Sequence, residues 1–337
     1  MGENILKIGL IGTGAIGRTH FKRINQKLQG GKVIAVSDVN KEFGRSIAEQ
    51  LDCAFYETGE ELINAPEIDA VVVTTSDQYH EQFVMAAIKA GKPVFCEKPL
   101  APQADGAKRI VDAEVAGGKH LVQVGFMRRY DAGYRQMKEA LDNRVLGEPL
   151  MLHCAHRNET VDESYDTPMA VENSMIHEID VLRWLLNEDY KTASVVFPKK
   201  TRNAHENLQD PQIMFLTTES GVHIDVEAFV CCGYGYEIKC EVVCEDGVMN
   251  MPEAPYLQVR TDGKRYSNIT TDWSQRFGDA YDTEFQEWIN ATKEGRVDGP
   301  TAWDGYVGQV TASAASKARD TQTTVTIELE ERPNFYK

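Results

Sequence analysis

The sequence predicts an α/β protein of two domains, a doubly wound parallel sheet followed by an α+β domain whose open sheet is mostly antiparallel. Three observations carry this. Short apolar runs alternate with helix-period segments from Leu6 to Gly125, a glycine turn follows the first of those runs, and beyond Ala193 several strand-like runs succeed one another without helices. The 337 residues suit two cores at roughly 100 to 200 residues per domain. The change of rhythm divides them at 1–126 and 127–337.

In the first domain the apolar runs are Leu6 to Ile11, Val33 to Ser37, Ala70 to Thr74, Val94 to Cys96 and Leu121 to Val124. Tyr79 to Ala90 carries Phe83, Val84, Ala87 and Ile88 at helical spacing and stops at Gly91, a residue suited to the left-handed position after a helix. Gln103 to Ala116 is the next helix, ending at Gly117 and Gly118.

In the second domain a helix around Tyr134 to Asp142 leads into Leu150 to Ala155, and a further helix is expected over Ser174 to Leu186. Met175, Ile179, Leu182 and Leu186 form its apolar stripe. The strand-like runs are Ala193 to Phe197, Gln212 to Leu216, Val222 to Phe229, Tyr236 to Cys244 and Tyr256 to Arg260.

Composition narrows the function classes. The chain is 42% hydrophobic and 26% charged, and no apolar run approaches the ~20 residues of a membrane span. A formal charge of -16, from 36 basic and 52 acidic side chains, repels a phosphate backbone, so neither nucleic acid nor membrane is expected as a partner. Met1 to Leu6 runs directly into a strand-like pattern without a basic stretch and long apolar segment, which sets a cytoplasmic expectation. Seven cysteines without a CxxC pair suggest reduced thiols and no metal. Cys240 and Cys244 alternate with Tyr236, Ile238 and Val242, as on a buried strand face.

The run ending at Ile11 opens into Gly12-Thr13-Gly14-Ala15-Ile16-Gly17, and Ile16, His20, Ile24 and Leu28 continue at four-residue intervals. Strand, glycine turn and helix in this order form a Rossmann dinucleotide cradle, with the diphosphate at the positive helix end. Asp38 closes the second run, 21 residues after Gly17. An acidic side chain there accepts hydrogen bonds from the adenosine ribose and repels a 2'-phosphate, so NAD is the expected cofactor. Lys41 nearby softens that discrimination.

An alcohol dehydrogenase needs a base for the hydroxyl proton and a donor for the developing oxyanion. Glu97-Lys98-Pro99 follows the run Val94 to Cys96, at the sheet edge where ligands of such folds bind, and His177 lies in the first turn of the helix beginning near Asn173 or Ser174, off its apolar stripe. Taken singly, Lys98 also reads as a solvated loop lysine and His177 as a surface or packing histidine.

At these residues the chain resembles the glucose-fructose oxidoreductase and inositol dehydrogenase family, and within it the enzymes acting at C2 of myo-inositol. Gly12 to Gly17 and Glu97-Lys98-Pro99 carry the general likeness. Gly125 to Asp131, Ala155-His156-Arg157-Asn158, His177 to Leu182, Tyr234-Gly235-Tyr236 and Pro300 to Gly305 carry the narrower one. The resemblance implies an NAD-binding domain, an open-sheet substrate domain, a late helix near 303–318 packing back on the first domain, and a homotetramer joined through the sheets.

It further implies Lys98 as the catalytic lysine and His177 as the general base. Val39, Thr75, Ser76, His80 and Glu97 are expected beside the cofactor, together with the glycine turn, Asp38 and Lys98. Lys98, Met127, Arg128, Asn158, Asn173, Ser174, His177, Tyr236 and Trp273 are expected around a polyol, with Asn173 also beside the two catalytic residues. The implied reaction is oxidation of myo-inositol at C2 to its 2-keto form. Another inositol isomer, a pyranose such as glucose, or a non-catalytic NAD-dependent sensor are the alternatives.

One position departs from the family. Where it places an aspartate four residues before the histidine, this chain has Asn173. An amide orients a neighbour by hydrogen bonding but brings no negative charge. The expectation is that the nearby helix start keeps His177 neutral, and that oxidation is slower than in an Asn173→Asp variant.

Overall fold

The computed structural model describes residues 5–252 and 257–337. They fall into two compact units. The first runs to Phe126 and adds Tyr281–Gln309 and Glu330–Lys337, while the second comprises Met127–Ala280 and Val310–Leu329.

The first unit is built on β1 (Leu6–Ile11), β2 (Gly31–Ser37), β3 (Ala54–Tyr56), β4 (Ala70–Val73), β5 (Val94–Glu97) and β6 (Val122–Gly125), all parallel in the order β3-β2-β1-β4-β5-β6. The order reverses beside β1, and in open parallel sheets ligands bind beyond the strand ends at that switch. Its helices are α1 (Ala15–Gln26), α2 (Lys41–Leu51), α3 (Gly59–Asn64), α4 (His80–Ala90) and α5 (Ala104–Gly117). Gly91 takes the left-handed position after α4 at φ 68°, and Gly118 does so after α5 while Gly117 stays helical.

The sequence reading passed over β3, α2 and α3. β3 has only three residues, too few for a period to show. The helices had readable starts: Asn40 Oδ1 caps α2 by accepting from Phe43 N at 3.1 Å, and Thr58 with Glu61 forms a reciprocal capping box on α3.

In the second unit, α6 (Ala132–Asp142) is capped by Asp131 and leads to β7 (Pro149–Arg157). A π-turn at Ala170–Ser174 precedes α7 (Ile176–Leu186). Then come β8 (Tyr190–Val196), β9 (Gln212–Thr218), β10 (His223–Phe229), β11 (Glu237–Cys244), β12 (Gly247–Asn250) and a hairpin of β13 (Gln258–Thr261) with β14 (Lys264–Ser267). Tyr256, expected to open a strand, lies outside the described residues. Two long helices follow in the chain, α8 (Trp273–Lys293), of which residues from Tyr281 on belong to the first unit, and α9 (Ala302–Thr321), of which residues up to Gln309 do; β15 (Val325–Thr326) comes after them.

The large sheet runs β12-β11-β7-β10-β9-β8-β15. Only the β7–β10 pair among its described pairings is parallel, so the sheet is mostly antiparallel as expected. Alternation sorts its faces: Leu152, Cys154, Ile224, Val226, Cys240 and Val242 are buried on one side. Cys240 sits directly opposite Cys154 across β11 and β7, and all seven cysteines are free thiols.

The sequence reading also missed α8. Its Phe285, Trp288 and Ile289 join Ile8, Leu10, Val36, Val72 and Phe95 in the core of the first unit. The Pro300 to Gly305 motif explains itself locally, since Asp304 Oδ2 accepts from Thr301 N at 2.8 Å and Thr301 Oγ1 at 2.9 Å, fixing the start of α9.

Candidate active site

The glycine turn lies between β1 and α1. Gly12 stands at φ 96°, and a Cβ there would meet Thr74 O at 2.6 Å; a Cβ on Gly17 would fall 2.0 Å from Gly12 O. Side chains are thus excluded at both positions, for backbone conformation and for helix–strand approach. Gly14 differs, because nothing lies within 4 Å of the Cβ it lacks. It begins α1 without a side-chain cap, leaving backbone N–H groups to face an anion.

Asp38 ties the end of β2 to this turn. Its Oδ2 accepts from both Thr13 N and Thr13 Oγ1 at 2.7 Å, and its Oδ1 accepts from Asn40 N at 2.9 Å. Three of about four acceptor positions are used, so Oδ1 retains capacity for a ribose hydroxyl. Val39 and Ser76 are exposed, Ala15 is exposed and Ile16 half-buried. Thr75 Oγ1 is buried without a hydrogen-bond partner among the described residues. An open cradle, a helix start and unused polar atoms fit a dinucleotide.

Lys98 is half-buried just beyond β5, at a cis Lys98–Pro99 bond. Its loop is held by two histidines. His80, buried, reaches Pro99 O with Nδ1 at 2.6 Å and Thr75 O with Nε2 at 3.1 Å. His20, also buried, places Nε2 2.8 Å from Glu97 Oε1, while Glu97 Oε2 accepts from Lys98 N at 3.2 Å. The Glu97 carboxylate, expected beside the cofactor, is therefore already bonded at both oxygens and only 6% exposed as a residue. Burial pushes its pKa up, but hydrogen bonds and electrostatic interactions with His20 and then Lys98 outweigh that and hold it below the usual carboxylate range.

In the second unit, the segment Met127–Tyr130 fixes α7. Arg128 and Glu178, each with a side chain 1% exposed, form an ion pair, and Arg129 Nε donates to Asp180 Oδ2 at 2.9 Å. His156 Nδ1 lies 3.1 Å from Glu178 Oε2. Burial opposes the Glu178 charge, yet Arg128 and His156 prevail and bring its pKa down to about 2.

His177 is next in the chain to this anchored glutamate and is buried, as is every residue from Ile176 to Leu182. Although off the Met175, Ile179 and Leu182 stripe, it is therefore not a surface histidine. Nor does His177 stand at a free helix N-terminus. Helical backbone begins a π-turn earlier, with Met175 N donating to Ala170 O at 2.9 Å, and the dipole effect is confined to the first turn.

Asn173 is half-buried within the π-turn, and the buried Ser174 bonds Tyr165 OH through Oγ at 2.6 Å. Asn158 has its backbone pinned, donating to Phe229 O at 3.1 Å and accepting from Cys232 N at 3.0 Å. Its Oδ1 is buried with no hydrogen-bond partner among the described residues, so it is available to a hydroxyl. Met127 and Tyr236 are buried, whereas Trp273 is exposed at the start of α8. Arg128, expected to grip a polyol, instead commits its guanidinium to Glu178 and leaves only Nε unpartnered.

Sequence reasoning missed Glu178 and Asp180 as anchors, and His20 beyond its place in a helical repeat. The signal for the anchors was two adjacent arginines and two acids spaced by two, which pattern alone does not pair. Among the described residues there is no cluster of side chains able to hold a metal, and no helix is long and apolar enough to cross a membrane.

Residues 6–126 match the model of an oxidoreductase family with an NAD-binding Rossmann fold, and residues 138–327 match that family's C-terminal α/β domain. The chain belongs to this oxidoreductase family. Its cofactor is NAD. It is 53% identical to an inositol 2-dehydrogenase of Agrobacterium fabrum, over 98% of this chain and 99% of the relative. It is likewise 53% identical to one of Pseudomonas fluorescens, at the same coverage. A crystal structure of myo-inositol dehydrogenase from Lactobacillus casei, in complex with NAD(H) and myo-inositol, superposes with a TM-score of 0.97 at 39% identity, covering 99% of this chain and 100% of that one. A scyllo-inositol dehydrogenase from the same organism, 22% identical, covers 97% of this chain and 99% of that one with a TM-score of 0.89, and shares the fold alone.

Proposed function

We propose that this oxidoreductase oxidises myo-inositol at C2 to 2-keto-myo-inositol. The observation that carries the reading is identity of 53% over 98% of the chain to inositol 2-dehydrogenases. The Gly12–Gly17 turn and Asp38 would hold NAD, which would supply the hydride acceptor. His177 takes the hydroxyl proton, with α7 held in rotation by Arg128 and Arg129. Lys98 donates to a substrate oxygen as its charge develops. Asn158 Oδ1 accepts from a ring hydroxyl, which removes the cost of its buried, unpaired state. Asn173, lacking an aspartate's charge, orients by hydrogen bonding alone.

Incubation with NAD and a polyol panel, followed by NADH absorbance, tests this. Turnover highest with myo-inositol supports it. Preference for scyllo-inositol or glucose supports the second reading that Asn173 motivates, a shifted substrate. NAD binding without turnover of any polyol supports a sensor.

The same reading includes a homotetramer and a cytoplasmic setting. The outer face of the large sheet carries Met151 and Val196, 39% and 42% exposed, beside half-buried Ile213 and Phe215, a mixed surface suited to a second copy. Light scattering at micromolar concentration checks it, and a monomer overturns it. Seven free thiols suit a reducing compartment.

A further inference from the structure

The first unit contains a buried polar chain that the proposed chemistry does not use. Arg23 Nε donates to Asp282 Oδ1 at 2.6 Å, and Arg23 Nη1 lies 2.7 Å from His20 Nδ1. His20 Nε2 then meets Glu97 Oε1, and Glu97 Oε2 receives Lys98 N. The chain thus runs from α8 through α1 to the strand end that carries Lys98.

Its proton arrangement follows from donor chemistry. A guanidinium has no acceptor, so the His20 Nδ1 that faces it must present a lone pair. The single ring proton is then on Nε2 and points at Glu97. Phe95 and Phe285 pack against the imidazole, with ring centroids 6.5 Å and 4.4 Å away, and Tyr281 lies at 5.4 Å. Burial beneath these rings, with Arg23 alongside, lowers the histidine's pKa although Glu97 opposes it. Gly125, paired with Glu97 across β6 and β5, makes room: a Cβ there would lie 3.3 Å from the Glu97 carboxyl carbon and 3.2 Å from Phe95.

We infer that His20 is a positioning residue for Lys98, its Nε2–H fixing the Glu97 carboxylate that in turn holds the Lys98 backbone. The inference rests on the reading of Lys98 as catalytic. Misplacement of a reacting group by about 1 Å costs on the order of 100-fold in rate. The charged and titratable groups around the imidazole are Arg23 on its own helix, Glu97 on β5 with Lys98 beyond it, and Asp282 and Tyr281 on α8.

Two substitutions separate positioning from packing. In His20→Gln the side-chain amide still reaches Glu97 as a donor, whereas His20→Asn is too short for Glu97 and addresses only Arg23. Expected is a fall in kcat of about 100-fold for His20→Asn, recovery to within about threefold of wild type by His20→Gln, and an NAD dissociation constant within about threefold in both. Nitrogen-15 spectra of labelled histidines read the tautomer without turnover: His20 is expected as Nε2–H, titrating below a free imidazole. An Nδ1–H tautomer overturns the inference, as does equal loss in both variants tracking a lowered Tm. Lys98→Met, measured alongside, keeps the two readings apart. If it turns over like wild type, the role of Lys98 falls; if it is inactive while His20→Asn matches wild type, only the role of His20 falls.

Discussion

Arg128 and Glu178 form an ion pair with both side chains 1% exposed, one residue along the chain from His177. The pair closes a guanidinium to solvent that the family resemblance would have placed on a polyol. Removing one partner leaves the other as a buried, uncompensated charge. Arg128→Met is therefore expected to destabilise the second domain by about 3 to 5 kcal/mol in urea unfolding, with Arg128→Met/Glu178→Leu recovering much of the loss. A stable single variant with only a raised KM would return Arg128 to direct substrate contact.

The same carboxylate predicts acid behaviour. Folded Glu178 titrates at about 2, below its ordinary 4.5. A depressed folded pKa contributes stability above the unfolded value, and this contribution is lost as pH falls from 4.5 towards 2. Wild type is expected to lose Tm steeply across that window. Glu178→Gln should start lower at neutral pH and vary less; parallel curves would exclude the carboxylate as the cause.

Lys98→Met and His177→Ala should each lower kcat by about 100-fold or more while binding NAD within a few-fold of wild type. Stopped-flow NADH formation and NAD titration by fluorescence separate the two effects. Lost NAD binding in His177→Ala would point to a folding defect instead of a missing base.

Asp38→Ala removes two hydrogen bonds on the glycine turn as well as the charge that repels a 2'-phosphate. The ratio of kcat/KM for NAD over NADP is expected to fall by about 10 to 100-fold, the effect of losing a hydrogen bond to a charged group. An unchanged ratio would assign discrimination to another residue.

Asn173→Asp is expected to speed oxidation and to move the acid limb of kcat/KM to higher pH, since a carboxylate near His177 stabilises the imidazolium formed on proton transfer. A rate and pH profile identical to wild type would show that Asn173 does not act on His177.

The sequence by itself determined the parallel first sheet, the glycine turn, Asp38, and the antiparallel character of the second sheet. Those features rest on local periodicity and on residues whose backbone demands are intrinsic, as with Gly12 at φ 96°. Lys98 and His177 were legible only through motif resemblance, because a lone lysine after a strand or histidine in a helix carries no local signature. Tertiary structure decided the rest. It set the partners of charged groups distant in the chain, Arg128 with Glu178 and Arg23 with Asp282, 259 positions apart. It buried His177 in α7, just after a π-turn that the apolar stripe does not indicate. It also turned Glu97 towards His20. Spacing along a chain shows which faces of an element are apolar, but pairing of buried charges depends on which elements meet, and that is fixed only when the cores form.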